Sequence, residues 1–258
     1  MRAVNKKEIS GNFMESTPSR RTLLKGVTGL TLGALGTSLF HGLEAFAASP
    51  DISHGPRNIK KVALTFHGAG GVNFADEILK ITSEHNAPIS VFAVGTFLEA
   101  NPGMAQKIIS QGHDLGNHTL THTQMKTISP ARVVSEIHGC ATALTKEIGY
   151  AGKWFRPSGT QYSTALIRKK AALFGYPQCI SYDVDSLDYQ DPGSPTVISA
   201  VKKHVKPGSI ISMHFGHKDT VQALPTILNY LKEKGLAPVT VTELLAPLGV
   251  TPSHRAVK

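Results

Sequence analysis

Short apolar runs alternate with longer amphipathic ones from about residue 61 to residue 245. Lys61-Val62-Ala63-Leu64-Thr65-Phe66, Ile89-Ser90-Val91-Phe92-Ala93-Val94 and Ser209-Ile210-Ile211-Ser212-Met213-His214 have the length and β-branched content of buried strands. Residues 179–184 and 238–241 read as two more. Between them, apolar residues recur at helical spacing over 74–85, 102–111, 129–148, 165–174, 195–205 and 220–234. Pro130 suits the first turn of its helix, and Gly112 ends the one before it. Strands alternating with helices predict an α/β fold around a parallel sheet, open or closed into a barrel. In both forms, chemistry collects at the C-terminal ends of strands.

Several polar residues fall at those ends. His67 ends the first strand, Arg156 a short one, and His214 the run at 209–214, while Asp185 and Asp188 follow 179–184. Gly116-Asn117-His118-Thr119-Leu120-Thr121-His122 places two histidines four apart, in the loop after Gly112-His113-Asp114-Leu115. Neutral imidazoles are common zinc ligands, and a pair at this spacing can aim both rings at one point. His217 reads either as an added ligand or as an exposed loop residue. Gly70-Gly71 fits a tight turn, and without a Walker-type lysine it does not point to phosphate.

The N-terminus carries targeting information. Ser19-Arg20-Arg21-Thr22-Leu23-Leu24-Lys25 is a twin-arginine pattern, followed by a moderately apolar stretch to Phe40 and the small-x-small site Ala45-Phe46-Ala47. Residues 1–47 therefore read as an export signal, 48–60 as a polar linker, 61–250 as one domain and 251–258 as a tail. The expected location is outside a bacterial cytoplasm: secreted, periplasmic or wall-associated. The apolar stretch is Gly-rich and short for a span, so no stable membrane anchor is expected.

Formal net charge is +9 for the whole chain. Without the six Lys/Arg and three Asp/Glu of residues 1–47 it is +6, a mildly basic balance that suits anionic wall polymers or mere solubility. No basic run is interleaved with aromatics, which argues against nucleic acid. Cys140 and Cys179 read as two buried thiols or, in an exported protein, as a bridge.

The ordered motifs resemble the polysaccharide deacetylase family, the NodB homology domain, over about Lys61 to Leu245. Gly116 to His122 is similar to the family's metal-binding histidine segment. Phe155-Arg156-Pro157-Ser158-Gly159 resembles its arginine motif, with Ser158 where proline is usual. Asp185-Ser186-Leu187-Asp188-Tyr189 resembles its aspartate motif, with Tyr189 for Trp, and Ile211-Ser212-Met213-His214 its final histidine motif. The resemblance implies a distorted (β/α) barrel and metal-assisted removal of acetyl groups from N-acetylated sugars.

The family's first motif, Thr-Phe-Asp-Asp-Gly, is altered here: Thr65-Phe66 is followed by His67-Gly68. The resemblance puts His67 at the base position and Gly68 at a ligand position. His118 and His122, with His67 as a third ligand, would make a three-histidine site for a divalent metal, zinc before others. His214, oriented by Asp188, would protonate the leaving amine, and a backbone N–H near Gly159 would meet the oxyanion. Arg156 would keep His67 neutral, as ligand or as base. The expected substrate is an acetylated glycan. A non-catalytic glycan-binding protein, or a hydrolase of another amide or imide, stand as alternatives.

Overall fold

The structure is a computed structural model that describes residues 50–256. The predicted signal at 1–47 and the end of the tail lie outside the described residues. Six parallel strands form the sheet: β1 (Lys61–Gly68), β2 (Ser90–Ala93), β3 (Asp114–Asn117), β4 (Val184–Asp185), β5 (Ile210–His214) and β6 (Ala237–Pro238). Their order is β3-β2-β1-β5-β4, with β6 pairing the start of β1. Isolated bridges carry the ladder from Asn117 to Phe155 and on to Cys179. The chain from Cys179 then reaches β5 through β4, so the strands follow the course of a barrel in short, broken steps and the sheet itself is not closed. This is the distorted barrel that the sequence predicts.

Side-chain parity in the strands decides what faces inward. Val62, Leu64 and Phe66 of β1, Val91 and Ala93 of β2, and Ile211 and Met213 of β5 join the core under the outer helices. The alternate residues Ala63, Phe92 and Ile210 join the inner cluster with Trp154 and Ile180. Thr65, His67, Ser212 and His214 share that inner parity. Strands covered on both faces have little use for polar positions, so these four stand out as an inner column.

The helices are α1 (Val72–Glu84), α2 (Gly95–Ala100), α3 (Met104–Ser110), α4 (Pro130–Ile148), α5 (Ala165–Leu173), α6 (Ser194–His204), α7 (Lys218–Glu233) and α8 (Val241–Leu245). Helix α4 shows its sequence logic plainly. Ser129 caps the N–H of Arg132, Pro130 opens the first turn, and Gly149 closes the end at φ 82°. None of the described helices is long and apolar enough to cross a membrane.

Four expectations are corrected. The helix expected at 102–111 is α3 alone, preceded by the unforeseen α2, whose first residue Gly95 has no room for a side chain against Leu120 and Cys140. The strand expected at 179–184 keeps only bridges at Cys179 and Ile180 before β4, because the carbonyls of Ile180 and Ser181 turn to Arg156. The strand expected at 238–241 stops at Pro238. Thr240 then caps the N–H of Glu243, and α8 buries Val241, Leu244 and Leu245 in the inner cluster.

The last correction is the linker. Ile52 bridges Ile180, and His54 bridges Ser209. Buried Asp51 accepts the Ser163 N–H at 2.6 Å and faces Arg168 Nη1 at 3.6 Å. Residues 51–55 thus fill the gap between the Cys179–Ile180 bridges and β5. Both cysteines are free and buried; the Cys140 thiol donates to the Ala93 carbonyl, and burial pushes it up to about 12.

Asp51→Ala should cost about 1–3 kcal/mol in urea unfolding, because it strands a buried N–H. An unchanged midpoint would show that the segment is a linker after all.

Candidate metal and proton-transfer site

At the C-terminal ends of β1, β3 and β5 lies an open cleft of about 570 Å³. The β1–β5 register sets His67 directly beside His214, and their rings are 4.2 Å apart. His118 follows the end of β3, two strands from β1 on its other side, with its ring 4.4 Å from that of His67. His122 completes the group at 5.0 Å from His118. One nitrogen from each of His67, His118 and His122 lies within 4.8 Å of the others.

The two loop histidines are aimed by backbone rather than by a helix. Thr119 (φ 71°) and His122 (φ 57°) are both left-handed, a conformation that costs non-glycine residues energy. Asn117 Oδ1 accepts the Thr119 N–H at 2.9 Å. Glu136, fully buried on α4, accepts both the N–H and the hydroxyl of Thr121 and pairs with Arg132 at 2.6 Å. Ser158, the residue in place of the usual proline, contacts the Thr119 hydroxyl at 2.8 Å and donates to the Thr123 carbonyl. The arginine segment and the histidine segment are thereby fastened together.

The hydrogen bonds fix the tautomers. His118 Nδ1 donates to the Arg156 carbonyl at 2.8 Å, which leaves Nε2 bearing the lone pair. That Nε2 is buried without a hydrogen-bond partner in the protein. A buried acceptor of this kind is costly unless something supplies a partner, and among three converging imidazoles a divalent metal fits. Burial, then the neighbouring His122, holds His118 well below the ordinary imidazole value of 6.5. His67 is held well below it too, first by burial, then by His118, His214 and Arg156. His122 is lowered by burial and by His214. All three rings are thus kept neutral, as ligands must be.

Arg156 is 1% exposed, and among the described residues its donors reach no carboxylate. Nε donates to the Ile180 carbonyl, Nη2 to that of Ser181, and Nη1 to the Thr65 hydroxyl at 2.8 Å and His67 Nε2 at 3.3 Å. Its guanidinium stacks on Phe92, 4.2 Å from the ring centroid. Burial lowers it to about 9, still a cation at neutral pH. Ser212 Oγ also lies 3.1 Å from His67 Nε2. Were His67 to hold a metal through Nδ1, its ring proton would sit on Nε2 and be hydrogen-bonded to Ser212 Oγ in place of the Arg156 contact.

The proton-transfer pair stands across the cleft. His214 Nδ1 donates to Asp188 Oδ1 at 2.7 Å. Asp188 Oδ2 accepts from the His214 N–H at 2.7 Å and the Thr220 hydroxyl at 2.6 Å. Burial alone would raise this carboxyl; the bonds from His214 and Thr220 outweigh it and hold the group below its ordinary value. The pairing holds the ring proton on Nδ1 and leaves Nε2 of His214 as the atom free to take up and deliver a proton.

A profile of the polysaccharide deacetylase family matches residues 54–179. A peptidoglycan-N-acetylglucosamine deacetylase of Bacillus cereus is 30% identical over 194 residues, 74% of this chain and 90% of that protein. The chain belongs to the polysaccharide deacetylase family. Its fold also matches the crystal structure of a peptidoglycan N-acetylglucosamine deacetylase, with TM-score 0.73 and 26% identity, over 84% of this chain and 99% of the other. A family 4 pseudoenzyme from Bacillus anthracis matches with TM-score 0.70 and 28% identity, over 75% and 68%.

Of the residues expected to carry the chemistry, His67, His122 and His214 line this cleft, and His118, Arg156 and Asp188 stand buried directly behind them. Sequence reasoning missed Glu136, Ser212 and Thr220. Ser212 was readable, since it shares the inner parity of His214; Glu136 and Thr220 carry no local signal.

Two outcomes follow from this geometry. Ser212→Ala should weaken zinc binding about tenfold or more, as loss of a partner behind a ligand does, in a competition titration with a chromophoric chelator. An unaltered affinity would remove His67 from the ligand set or Ser212 from behind it. Unfolded imidazoles take up protons that folded His67 and His118 refuse. Metal-free protein should therefore lose stability as pH falls from about 6.5, by about 1.4 kcal/mol per pH unit for each ring. His118→Ala should flatten that slope in pH-resolved urea unfolding; an equal slope would place the linkage elsewhere.

Proposed function

We propose that this chain is a metal-dependent deacetylase that removes acetyl groups from N-acetylated sugars of a glycan outside the cytoplasm. The observation that carries the reading is the buried, unpartnered Nε2 of His118, converging with His67 and His122 opposite the His214–Asp188 pair. The names of the relatives support the substrate class, and the twin-arginine pattern supports export.

His67, His118 and His122 would hold the metal, with zinc the best match to three imidazoles. Such an ion, when bound, supplies Lewis acidity and lowers the pKa of water. The protein's own residues do the rest. The carbonyl of Arg156 fixes the His118 tautomer, and Glu136 holds the loop that presents His122. Asp188 keeps the proton of His214 on Nδ1 and stabilises the imidazolium that forms when Nε2 gains a proton to deliver to the leaving amine. His67 is a weak base because its pKa is so far lowered, which favours the ligand role over the base role. Gly159 and the side chains of Gln124, Thr160 and Gln161 line the cleft wall and offer hydrogen bonds to a sugar.

A second reading, a glycan-binding member without turnover, is favoured by the first motif. Arg156 occupies His67 Nε2, and Gly68 supplies no ligand. A Cβ at Gly68 would lie 2.9 Å from Val91 Cγ1 and 3.0 Å from the Ala93 Cα, so a carboxylate does not fit there unless β2 moves.

Acetate release from an N-acetylglucosamine oligomer, with zinc added, separates the readings. The wild type should release acetate, and His214→Ala should be slower by about 100-fold. Equal rates would remove His214 as the acid. A zinc-loaded wild type that binds the oligomer but releases no acetate would establish the second reading.

A further inference from the structure

A second histidine–aspartate pair stands beside the first. His217 Nδ1 lies 2.9 Å from Asp191 Oδ1. Its ring meets that of His214 edge-on at 5.8 Å, and it lines the same cleft. The spacing is repeated: Asp188 and Asp191 are three apart on one turn, and His214, the last residue of β5, and His217, just before α7, are three apart.

The backbone bends to make this pair. Leu187 (φ 61°) and Asp191 (φ 49°) flank the short helical turn Asp188–Gln190, both left-handed. Four of the five non-glycine residues with positive φ among those described belong to the His118–His122 loop or to this turn. Strain of this kind persists where the surroundings enforce it and collects at functional sites. Gly216 (φ 66°) brings the His217 loop onto the loop after β1, where a Cβ at Gly70 would lie 2.6 Å from the Gly216 Cα. The pair's stabilising value is small, because Asp191 is 65% exposed. Stability therefore gives little reason for a strained turn.

We propose that His217, oriented by Asp191, is a substrate-binding residue that accepts a sugar hydroxyl at Nε2. The Nδ1 bond to the carboxylate puts the ring proton on Nδ1 and leaves Nε2 a hydrogen-bond acceptor at the cleft rim. The ring stands 5.8 Å from that of His214 on the same cleft lining, so the hydroxyl belongs to the part of the glycan beside the acetyl group and not to the reacting atoms. This inference rests on the glycan reading of the cleft.

The test uses the two amide mimics of histidine. Asn at this position places a donor near Nδ1, and Gln places a polar group near Nε2. Binding of an N-acetylglucosamine tetramer to the full chain would be titrated calorimetrically, in chelator and in zinc, for the wild type, His217→Ala, His217→Asn and His217→Gln. Thermal unfolding would confirm that each variant folds. The expected result is a Kd raised about tenfold in His217→Ala and His217→Asn, with His217→Gln closer to the wild type. An unchanged Kd in His217→Ala, or weak binding by the Gln variant with wild-type binding by the Asn variant, overturns the inference and leaves a structural pair. A wild type that binds no tetramer in either condition overturns the glycan reading and this inference with it.

Discussion

The buried guanidinium of Arg156 organises this barrel's open end. It lies at the junction of three stretches of chain that no continuous ladder joins: β1 through Thr65 and His67, the broken strand through the carbonyls of Ile180 and Ser181, and its own segment after the Phe155 bridge. A cation this deep must be compensated or it destabilises the fold. Here compensation comes from carbonyl dipoles, a hydroxyl, an imidazole and the faces of Phe92 and Tyr182, without a carboxylate. The break in the strand after Ile180 is the structural consequence, since those carbonyls face the arginine instead of a neighbouring strand.

His67 inherits its character from that arrangement. A carboxylate beside Arg156 would form an ion pair, whereas an imidazole beside it can only accept a hydrogen bond while neutral. The same neutrality extends to His118, with its proton committed to the Arg156 carbonyl. Arg156 thus touches the histidine group twice, by side chain at His67 and by backbone at His118. Across the cleft, Asp188 gives His214 a contrasting environment, rich in negative charge and hydrogen bonds. One cleft therefore holds imidazoles that resist protonation beside one whose Nδ1 is tied to a buried carboxylate.

The residues that brace the histidine loop divide the labour similarly. Glu136 reaches from α4 to the N–H and hydroxyl of Thr121, so the loop's strained geometry is held by a buried carboxylate on a rigid helix. Ser158 links that loop to the arginine segment. Each site residue sits on a short segment, and each segment is held by a group distant in sequence.

The sequence by itself determined most of the alternation of strands and helices, because periods of 2 and 3.6 are local properties, but it missed the short β3 and α2. It also determined which polar residues stand at strand ends, since parity along β1 and β5 places His67 and His214 on the inner face. Motif spacing pointed to His118, His122, Arg156 and Asp188 as their companions. Tertiary structure decided what those residues experience. Arg156 and Thr65 are 91 positions apart, and Asp51 and Ser163 112 apart, so neither bond has a local signature. The polar stretch at 51–55 reads as a linker until the gap beside Ile180 is seen. The closing α8 reads as strand until the inner cluster it plugs is known. Burial, neighbouring charge and available partners are sums over the whole fold, and they alone fix the protonation and tautomer of each ring.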